Sequence, residues 1–312
     1  MNDIKNRENG ATYMKDKEGA KVLGRRLPPW LRKKRYYNDN IREVKSILRA
    51  KGLHTVCESA RCPNISECFS SSTATFMILG DICTRNCRFC AVSGGTPDKP
   101  AEDEAERIAE VAGKIGLRHV VVTSVTRDDL EDGGAQQFAK VIMALQGLGQ
   151  DIVVEVLTPD FKGDSSSIKI VVESSPDIYN HNLETVPRLY DKIRLMADYE
   201  RSLRLLSQVK AEDEQIVTKS GIMLGLGENQ GEVLDLLRDL RGVGVDMVTI
   251  GQYIQPTAAS IPVDEYIEPA LFEWYEGEAR GLGFRGVASS PFVRSSYHAQ
   301  EVYEEIITNN RK

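Results

Sequence analysis

Residues 74–90 read ATFMILGDICTRNCRFC, and this stretch decides how the rest of the chain is interpreted. Ala74–Leu79 is a short apolar run typical of a buried strand. The segment that follows, Cys83–Cys90, places three cysteines on one short loop in the spacing C-x3-C-x2-C. Three thiolates bind three of the four irons of a [4Fe–4S] cluster and leave the fourth iron for another ligand. The sequence therefore predicts a cluster with one open iron directly after a strand.

A second group of three cysteines precedes this loop. Cys57, Cys62 and Cys68 lie in CESARCPNISEC, and the chain has six cysteines in all. Two groups of three favour two [4Fe–4S] clusters, each with one iron that is not bound by cysteine. We call Cys57, Cys62 and Cys68 the first triad, and Cys83, Cys87 and Cys90 the second triad.

Three simpler interpretations compete with the clusters: structural zinc, a disulfide framework, and cysteines that only pack in a core. Zinc prefers four tetrahedral ligands, usually in paired C-x2-C units, which neither triad has. Disulfide frameworks suit small secreted chains, whereas this chain has 312 residues and no apolar signal segment.

Composition and charge restrict the class of protein. A hydrophobic content of 41% and a charged content of 28% are ordinary for a globular protein, and no run is long enough for a transmembrane helix. With cysteines suited to metal, this favours a cytoplasmic protein without a membrane partner. Residues 1–35 carry eleven Lys or Arg against four Asp or Glu, whereas the whole chain carries −6. One short basic arm on an acidic body argues against nucleic-acid binding and is compatible with an acidic protein partner.

Apolar runs and amphipathic helices alternate after the second triad. Helix-like stretches separate six predicted strands: Ala74–Leu79, His119–Val125, Ile152–Leu157, Asp177–Asn182, Ile216–Leu224 and Met247–Ile254. Such alternation predicts parallel strands joined by helical crossovers. Six units are too few for a closed eight-fold barrel, so we expect an α/β fold with an open, partial (β/α)6 barrel of the TIM type. The chemistry of such barrels lies at the carboxyl ends of the strands, where the second triad is expected.

The chain is expected to have four parts. They are a basic and partly disordered arm (1–35), a helical extension with the first triad (36–72), the partial barrel (73–285), and a C-terminal segment that closes the mouth (286–312).

The motifs together resemble the lipoyl synthase family of the radical S-adenosylmethionine superfamily. The superfamily resemblance rests on CTRNCRFC alone. The family resemblance extends from Pro28 to the C-terminal region and rests on TVCESARCPNISEC, TSVTRDDLEDGGA, NHNLETVPRLY, KSGIMLGLGE, TIGQYIQPT and PFVRSSYHA. A C-x4-C-x5-C triad combined with an RSSY tail is what narrows the resemblance to this family.

This resemblance implies insertion of two sulfur atoms at C6 and C8 of a protein-bound octanoyl chain, which gives lipoyl-lysine. The cofactors would be two [4Fe–4S] clusters and S-adenosylmethionine. The second triad would bind the cluster that cleaves S-adenosylmethionine, and the first triad an auxiliary cluster that is consumed as sulfur donor. Serine from RSSY would be the fourth ligand of the auxiliary cluster, so the catalytic set is Cys83, Cys87, Cys90 and Ser296, with Ser295 as the alternative serine.

Other contacts with the cofactor are predicted from position. Phe89 is placed to pack against a nucleoside, and Thr123 and Ser124 end the second strand. Gly225, Gly227 and Glu228 belong to a glycine-rich turn after the fifth strand, which a helix N-terminal turn explains equally well. His181 is expected to be a satisfied core histidine, and Arg127, Asp128 and Asp129 are expected to form an ion network.

The resemblance also implies partners. They are octanoylated lipoyl-carrier domains (the glycine cleavage H protein or the acyltransferase subunit of a 2-oxoacid dehydrogenase), an electron donor such as ferredoxin or flavodoxin, and an iron–sulfur carrier protein. The basic stretch Arg25–Arg35 is expected to help dock the acidic carrier. The alternatives are another sulfur-inserting radical enzyme, of the biotin synthase kind, and a non-catalytic iron–sulfur or zinc scaffold.

Overall fold

The computed structural model describes residues 7–8, 11–15, 21–23, 27–32, 39–70, 75–149, 152–296 and 299–310. The chain divides into two compact units, Met1–Lys34 and Arg35–Lys312. In the first unit, three short strands pair antiparallel in chain order, and a 3-10 turn spans Pro29–Leu31. Much of the predicted basic arm, including Arg25, Arg26 and 33–35, lies outside the described residues.

An open, mostly parallel sheet forms the centre of the second unit. The strands of the chain are β1 (Arg7–Glu8), β2 (Ala11–Lys15), β3 (Lys21–Leu23), β4 (His54–Thr55), β5 (Thr75–Ile78), β6 (Ile82–Cys83), β7 (Ser93–Gly94), β8 (His119–Ser124), β9 (Val153–Leu157), β10 (Ile178–Asn180), β11 (Val217–Leu224), β12 (Met247–Gln252) and β13 (Gly286–Ser289). The sheet order is β13-β12-β11-β10-β9-β8-β5-β4. Within this sheet, β4 runs antiparallel to β5, and the other neighbouring strands run parallel to each other. Strands β6 and β7 form a separate parallel ribbon.

Helices connect these strands. They are α1 (Asp39–Ala50), α2 (Val56–Ser59), α3 (Ile65–Ser70), α4 (Glu104–Ile115), α5 (Ala135–Gln146), α6 (Ser165–Glu173), α7 (Tyr190–Ile193), α8 (Tyr199–Glu212), α9 (Gln230–Gly242), α10 (Pro269–Gly281) and α11 (Ala299–Asn310). Their apolar faces pack on the sheet; α9, for example, buries Val233, Leu236 and Leu237 completely. Asn229 and Glu232 begin α9 with a reciprocal capping box.

Burial explains why the strands contain long runs of apolar residues. Val120, Val122, Val154 and Val156 are completely buried, because a parallel sheet covered by helices has no face exposed to water. The alternation of strand and helix in the sequence therefore predicted each of the six barrel strands to within three residues at either end.

The C-terminal segment contributes a seventh parallel strand, which the predicted six-unit barrel did not include. β13 pairs in parallel register with β12. After it, Val293–Ser296 line the cavity between the carboxyl ends of the strands, as expected of a segment that closes the mouth. Helix α11 instead carries Ile306 against Ile178 and Met247, at the opposite end of the strands. No helix in the described ranges is long and apolar enough to cross a membrane.

Candidate active site

Both cysteine triads open onto one cavity of about 470 Å³ at the carboxyl ends of the barrel strands. The structure therefore brings together residues that are up to 239 positions apart, from Cys57 to Ser296. The predicted site residues that line this cavity are Cys57, Cys62, Cys68, Cys83, Phe89, Cys87, Cys90, Thr123, Ser124, Ser295 and Ser296. All six cysteines are free thiols.

The second triad lies on a loop held by backbone hydrogen bonds. Strand β6 carries Cys83 and pairs with β7, on the far side of the loop. The Cys83 sulfur accepts hydrogen bonds from the backbone N–H groups of Arg85 (3.4 Å) and Thr126 (3.3 Å). The Cys90 sulfur accepts one from Val92 N–H at 3.4 Å. Such bonds to sulfur help to set the reduction potential of an iron–sulfur cluster.

A buried ion network fixes the same loop to the barrel. Arg85 is 7% exposed and donates two hydrogen bonds to Asp128, at 2.7 and 2.9 Å, and one to Asp160 at 2.6 Å. Burial opposes ionisation of Asp160, but Arg85 more than offsets it and holds the pKa of this carboxyl well below its usual value. Arg201 donates a further bond to Asp160 at 2.8 Å.

The neighbouring ion network expected from Arg127, Asp128 and Asp129 is present in a modified form. Arg127 is 2% exposed and binds Asp129 and the Leu79 carbonyl oxygen. Asp128 pairs with Arg85 instead. The sequence carried no signal for this pairing, because a charged residue inside a cysteine loop ordinarily faces solvent.

The first triad lies on the helical extension. Thr55 caps α2, which carries Cys57, and the Cys57 carbonyl oxygen accepts a hydrogen bond from Cys62 N–H at 3.0 Å. Cys68 is in α3, and its N–H donates to the Asn64 carbonyl oxygen at 3.0 Å. Short helical turns thus present three thiols from a stretch of twelve residues to the cavity.

Burial and the other thiols of the same triad raise the pKa of a cysteine in each triad. Burial and then the thiols of Cys62 and Cys68 raise the pKa of Cys57 to about 12. Burial raises the pKa of Cys90 to about 11, with contributions from Cys87 and Cys83. Burial and neighbouring thiolates oppose deprotonation of these thiols. Binding to iron stabilises the thiolate form, so the donor set of each triad suits an iron–sulfur cluster.

Within the described residues, no three His, Cys, Asp or Glu side chains are close enough to hold a single metal ion. A cubane needs a wider arrangement than a single ion does. Its thiolates each bind a different iron, and their sulfur atoms are therefore spaced more widely than the ligands of one zinc ion.

The tail reaches the first triad directly. The side chain of Asn64, between Cys62 and Cys68, donates a hydrogen bond to the Phe292 carbonyl oxygen at 2.7 Å. Ser295 and Ser296 follow and line the cavity. Tyr297 and His298 of the same motif lie outside the described residues.

Three polar groups between the triads were not predicted as cofactor contacts. Asn182, Glu184 and Arg194 line the cavity, and Asn182 donates a hydrogen bond to Glu184 at 3.0 Å. Burial raises the pKa of Glu184. Asn182 Oδ1 and Arg194 Nε, like Ser124 Oγ, are buried and have no hydrogen-bond partner among the described residues. S-adenosylmethionine carries amino, carboxylate and hydroxyl groups, so these polar atoms suit it. Asn182 and Glu184 belong to the motif NHNLET, which supported the family resemblance but did not by itself indicate which of its residues face the cavity.

Neither His181 nor the glycine-rich turn has polar groups that wait for a cofactor, because each is hydrogen-bonded within the protein. His181 is 1% exposed, with its ring nitrogens bonded to the Thr158 carbonyl oxygen and to Ser202 Oγ, which agrees with a satisfied core histidine. Gly225, Gly227 and Glu228 are not part of the cavity lining. The Glu228 carboxylate accepts hydrogen bonds from the N–H groups of Gly225 and Leu226, so this turn is closed on itself.

Known families and structures resemble the chain over most of its length. A model of the Radical SAM superfamily matches residues 77–240, and one of the N-terminal domain of lipoyl synthase matches residues 1–62. A lipoyl synthase from Caldanaerobacter subterraneus subsp. tengcongensis is 56% identical, over 88% of this chain and 96% of the relative. Another, from Caldicellulosiruptor saccharolyticus, is 54% identical over 90% and 98%.

The chain belongs to the lipoyl synthase family. It is a radical S-adenosylmethionine enzyme, as the spacing of the second triad predicted, and a radical S-adenosylmethionine domain implies a [4Fe–4S] cluster and S-adenosylmethionine. The predicted family, partial-barrel fold and enzyme class are confirmed.

Solved structures support the fold alone. The FeFe-hydrogenase maturase HydG from Carboxydothermus hydrogenoformans superimposes with a TM-score of 0.57 at 18% identity, covering 74% of this chain and 56% of that one. Methylornithine synthase gives a TM-score of 0.54 at 13% identity, covering 80% and 75%.

Proposed function

We propose that this lipoyl synthase inserts two sulfur atoms at C6 and C8 of a protein-bound octanoyl-lysine, with one cluster on each triad. The observation that carries the proposal is the common cavity, lined by both triads and by the RSS tail. An octanoyl chain held there lies between a radical source and a sulfur source. The carbons C6 and C8 have no acidic protons, so the reaction needs a radical cofactor and not an acid–base pair.

Cys83, Cys87 and Cys90 would hold the cluster that binds S-adenosylmethionine. Bound there, this pair would supply the radical chemistry that removal of a hydrogen atom from an unactivated carbon requires. The protein's own part is to bind and orient. Backbone N–H groups bond to the sulfurs of Cys83 and Cys90, and Arg85 holds the loop rigid.

Asn182, Glu184 and Arg194 are positioned to bind the polar groups of the cofactor, with Ser124 on the neighbouring side of the cavity. Phe89 provides an apolar ring next to the last cysteine.

Cys57, Cys62, Cys68 and Ser296 would hold the auxiliary cluster, whose sulfide is the sulfur substrate. A serine oxygen is a harder ligand than a thiolate and suits iron less well. We infer that this ligand is displaced more easily than a fourth cysteine, which suits a cluster that is consumed. In this proposal, residues 36–72 form the donor module and 73–285 the radical module, with 286–312 joining them.

The substrate is an octanoylated lipoyl-carrier protein. We propose the glycine cleavage H protein and the acyltransferase subunits of 2-oxoacid dehydrogenases as carriers, a ferredoxin or flavodoxin as electron donor, and an iron–sulfur carrier that rebuilds the auxiliary cluster. Free cysteines that bind clusters suit a reducing cytoplasm. The basic stretch Arg25–Arg35 remains a proposed docking element for an acidic carrier.

The test is an anaerobic turnover experiment. The reconstituted protein is incubated with S-adenosylmethionine, reductant and an octanoyl-lysine peptide, and the products are analysed by mass spectrometry. We expect 5′-deoxyadenosine, the two-sulfur peptide, and about eight irons per chain before turnover. Stoichiometric zinc with no sulfur product would support a scaffold instead and refute the proposal.

A further inference from the structure

The tail is seated in the barrel mouth by two glycines on adjacent strands. Gly221 is in β11 and Gly251 is in β12. A Cβ atom at Gly251 would collide with the Val293 carbonyl oxygen. A Cβ atom at Gly221 would lie 2.7 Å from Thr249 Oγ1 and 2.8 Å from Asn182 Oδ1, closer than real Cβ contacts allow, and 3.0 Å from Ser295 Oγ, which is tighter than most real contacts. The backbone of both strands is therefore shaped for the tail.

Ser295 is the residue that fastens the tail at this seat. Its Oγ accepts a hydrogen bond of 2.7 Å from Asn182 Nδ2, across 113 positions of sequence. The same amide group bonds to Glu184 at 3.0 Å. Asn64 makes a second attachment, to the Phe292 carbonyl oxygen. The tail is thus fixed on both sides, to the donor module through Asn64 and to the radical module through Asn182.

The two adjacent serines are in different situations. The Ser295 hydroxyl is engaged with Asn182, whereas the Ser296 hydroxyl has no hydrogen-bond partner in the described part of the chain. Arg294, on the other side of Ser295, lines the same cavity as Cys62 and Glu184. Ser295 therefore lies at the point where the tail meets the first triad and the polar groups of the cofactor site.

We propose that Ser295 is a positioning residue, a latch that presents Ser296 to the auxiliary cluster and fastens the tail to the cofactor-binding Asn182. This inference rests on the proposed function, because it takes the first triad and Ser296 as the ligand set. The latch keeps residues 291–295 in place when the Ser296 ligand leaves the cluster. The division of labour explains why, among the described residues, Ser295 is bound to a protein group and Ser296 is not.

The test uses the full-length chain with Cys83→Ala, Cys87→Ala and Cys90→Ala, so that only the auxiliary cluster is loaded. Ser295→Ala, Ser296→Ala and Ser295→Thr are compared on this background. The readouts are the Mössbauer signal of the distinct iron site and the rate of iron release to a chelator. We expect Ser295→Ala to release iron about three to ten times faster, the range for loss of one hydrogen bond. Ser295→Thr keeps the hydroxyl and restores the slow rate.

A second measurement does not depend on the cluster. Hydrogen exchange of residues 290–296 in cluster-free full-length protein should accelerate in Ser295→Ala, and also in Gly221→Ala, whose new methyl displaces Ser295 and Asn182. Gly277→Ala is the matched control. A Cβ atom there meets nothing within 4 Å, so the exchange of the tail should stay unchanged.

The outcomes separate the latch from the proposed ligand set. If Ser296→Ala alters the iron signal and Ser295→Ala alters neither the signal nor tail exchange, the latch is wrong and the ligand set stands. If neither serine variant changes the cluster, the ligand set itself fails, and the latch fails with it. If Ser295→Ala abolishes the distinct iron signal and Ser296→Ala does not, Ser295 is the ligand and the latch is overturned.

Discussion

The two triads share one cavity but are held in different ways. The second triad lies on a loop whose sulfurs accept backbone hydrogen bonds and whose Arg85 is tied to two buried carboxylates. The first triad lies on short helical turns outside the barrel, and its connection to the barrel mouth includes the Asn64–Phe292 hydrogen bond. In the proposed function, the cluster that must survive every turnover is the one on the firmly held second triad. The cluster that is dismantled is the one on the first triad.

Under the proposed function, the difference teaches that the surroundings of the cysteines, more than their number, decide the role of each triad. Both triads supply three thiolates, and burial raises the pKa of a thiol in each of them. Besides their support, the proposed fourth position differs: we assign polar groups of the cavity to a cofactor at the second triad and a serine of the tail to the first. Each prediction below separates one of these features from the other.

The largest effect is expected from removing one cysteine of either triad. Cys83→Ala should abolish 5′-deoxyadenosine and sulfur insertion together, because the radical source is lost. Cys57→Ala should still form 5′-deoxyadenosine but give no two-sulfur product. Chromatography of the nucleoside and mass spectrometry of an octanoyl-lysine peptide check both variants. A two-sulfur product from Cys57→Ala would end the assignment of the first triad as donor.

Ser296→Cys sharpens the comparison by giving the auxiliary cluster a fourth thiolate. We expect the yield of two-sulfur product to fall about tenfold or more, in the range that changes around a metal site produce. Formation of 5′-deoxyadenosine should persist, since the second triad is untouched. The same assay measures both products, with iron content as the loading control. Unimpaired sulfur insertion would remove the need for an oxygen ligand.

Arg85→Met tests the rigid support of the second triad. It leaves Asp128 and Asp160 without their main partner, and Asp160 is 1% exposed. Loss of one partner of a buried ion pair costs on the order of 3 kcal/mol of unfolding free energy. Denaturant unfolding measures this, with Arg238→Met as control, because Arg238 forms an exposed pair with Asp235 worth less than about 1 kcal/mol. Equal effects of the two variants would contradict a supporting role.

The smallest expected effect is the pH dependence of this network. The folded-state pKa of Asp160 lies well below the ordinary value of 3.8. The stability that it contributes is therefore present above pH 3.8 and is lost as the pH falls below it. Between pH 5 and pH 3 we expect cluster-free wild-type protein to lose about 1 kcal/mol more than Arg85→Met. Denaturant midpoints at pH 5, 4 and 3 measure the difference, and parallel curves would show that the network does not hold this carboxyl ionised.

The sequence predicted what periodicity and spacing encode. Each parallel strand from Thr75–Ile78 to Met247–Gln252 was expected from its apolar run. The run that contains Gly286–Ser289 was interpreted as strand-like but was assigned to the C-terminal segment, because its sequence does not show that it pairs with the last barrel strand.

Contacts between distant residues could not be predicted in the same way. The Arg85–Asp160 and Asn182–Ser295 pairs join positions 75 and 113 residues apart, and only the folded barrel brings them together. The turn with Gly225 and Glu228 was placed near the cofactor because it follows a strand. In the folded chain its carboxylate bonds to its own backbone instead.

The most direct test of the central claim, that one triad carries the radical source and the other the sulfur source, is an isotope experiment. The complete enzyme and a Cys57→Ala, Cys62→Ala, Cys68→Ala variant, which keeps only the second triad, are both built with ³⁴S sulfide. A single turnover is then run in unlabelled sulfide. The account predicts that both inserted sulfurs are ³⁴S in the complete enzyme, whereas the variant forms 5′-deoxyadenosine but no lipoyl product. Unlabelled sulfur in the product of the complete enzyme, or any ³⁴S-labelled lipoyl product from the variant, would contradict it.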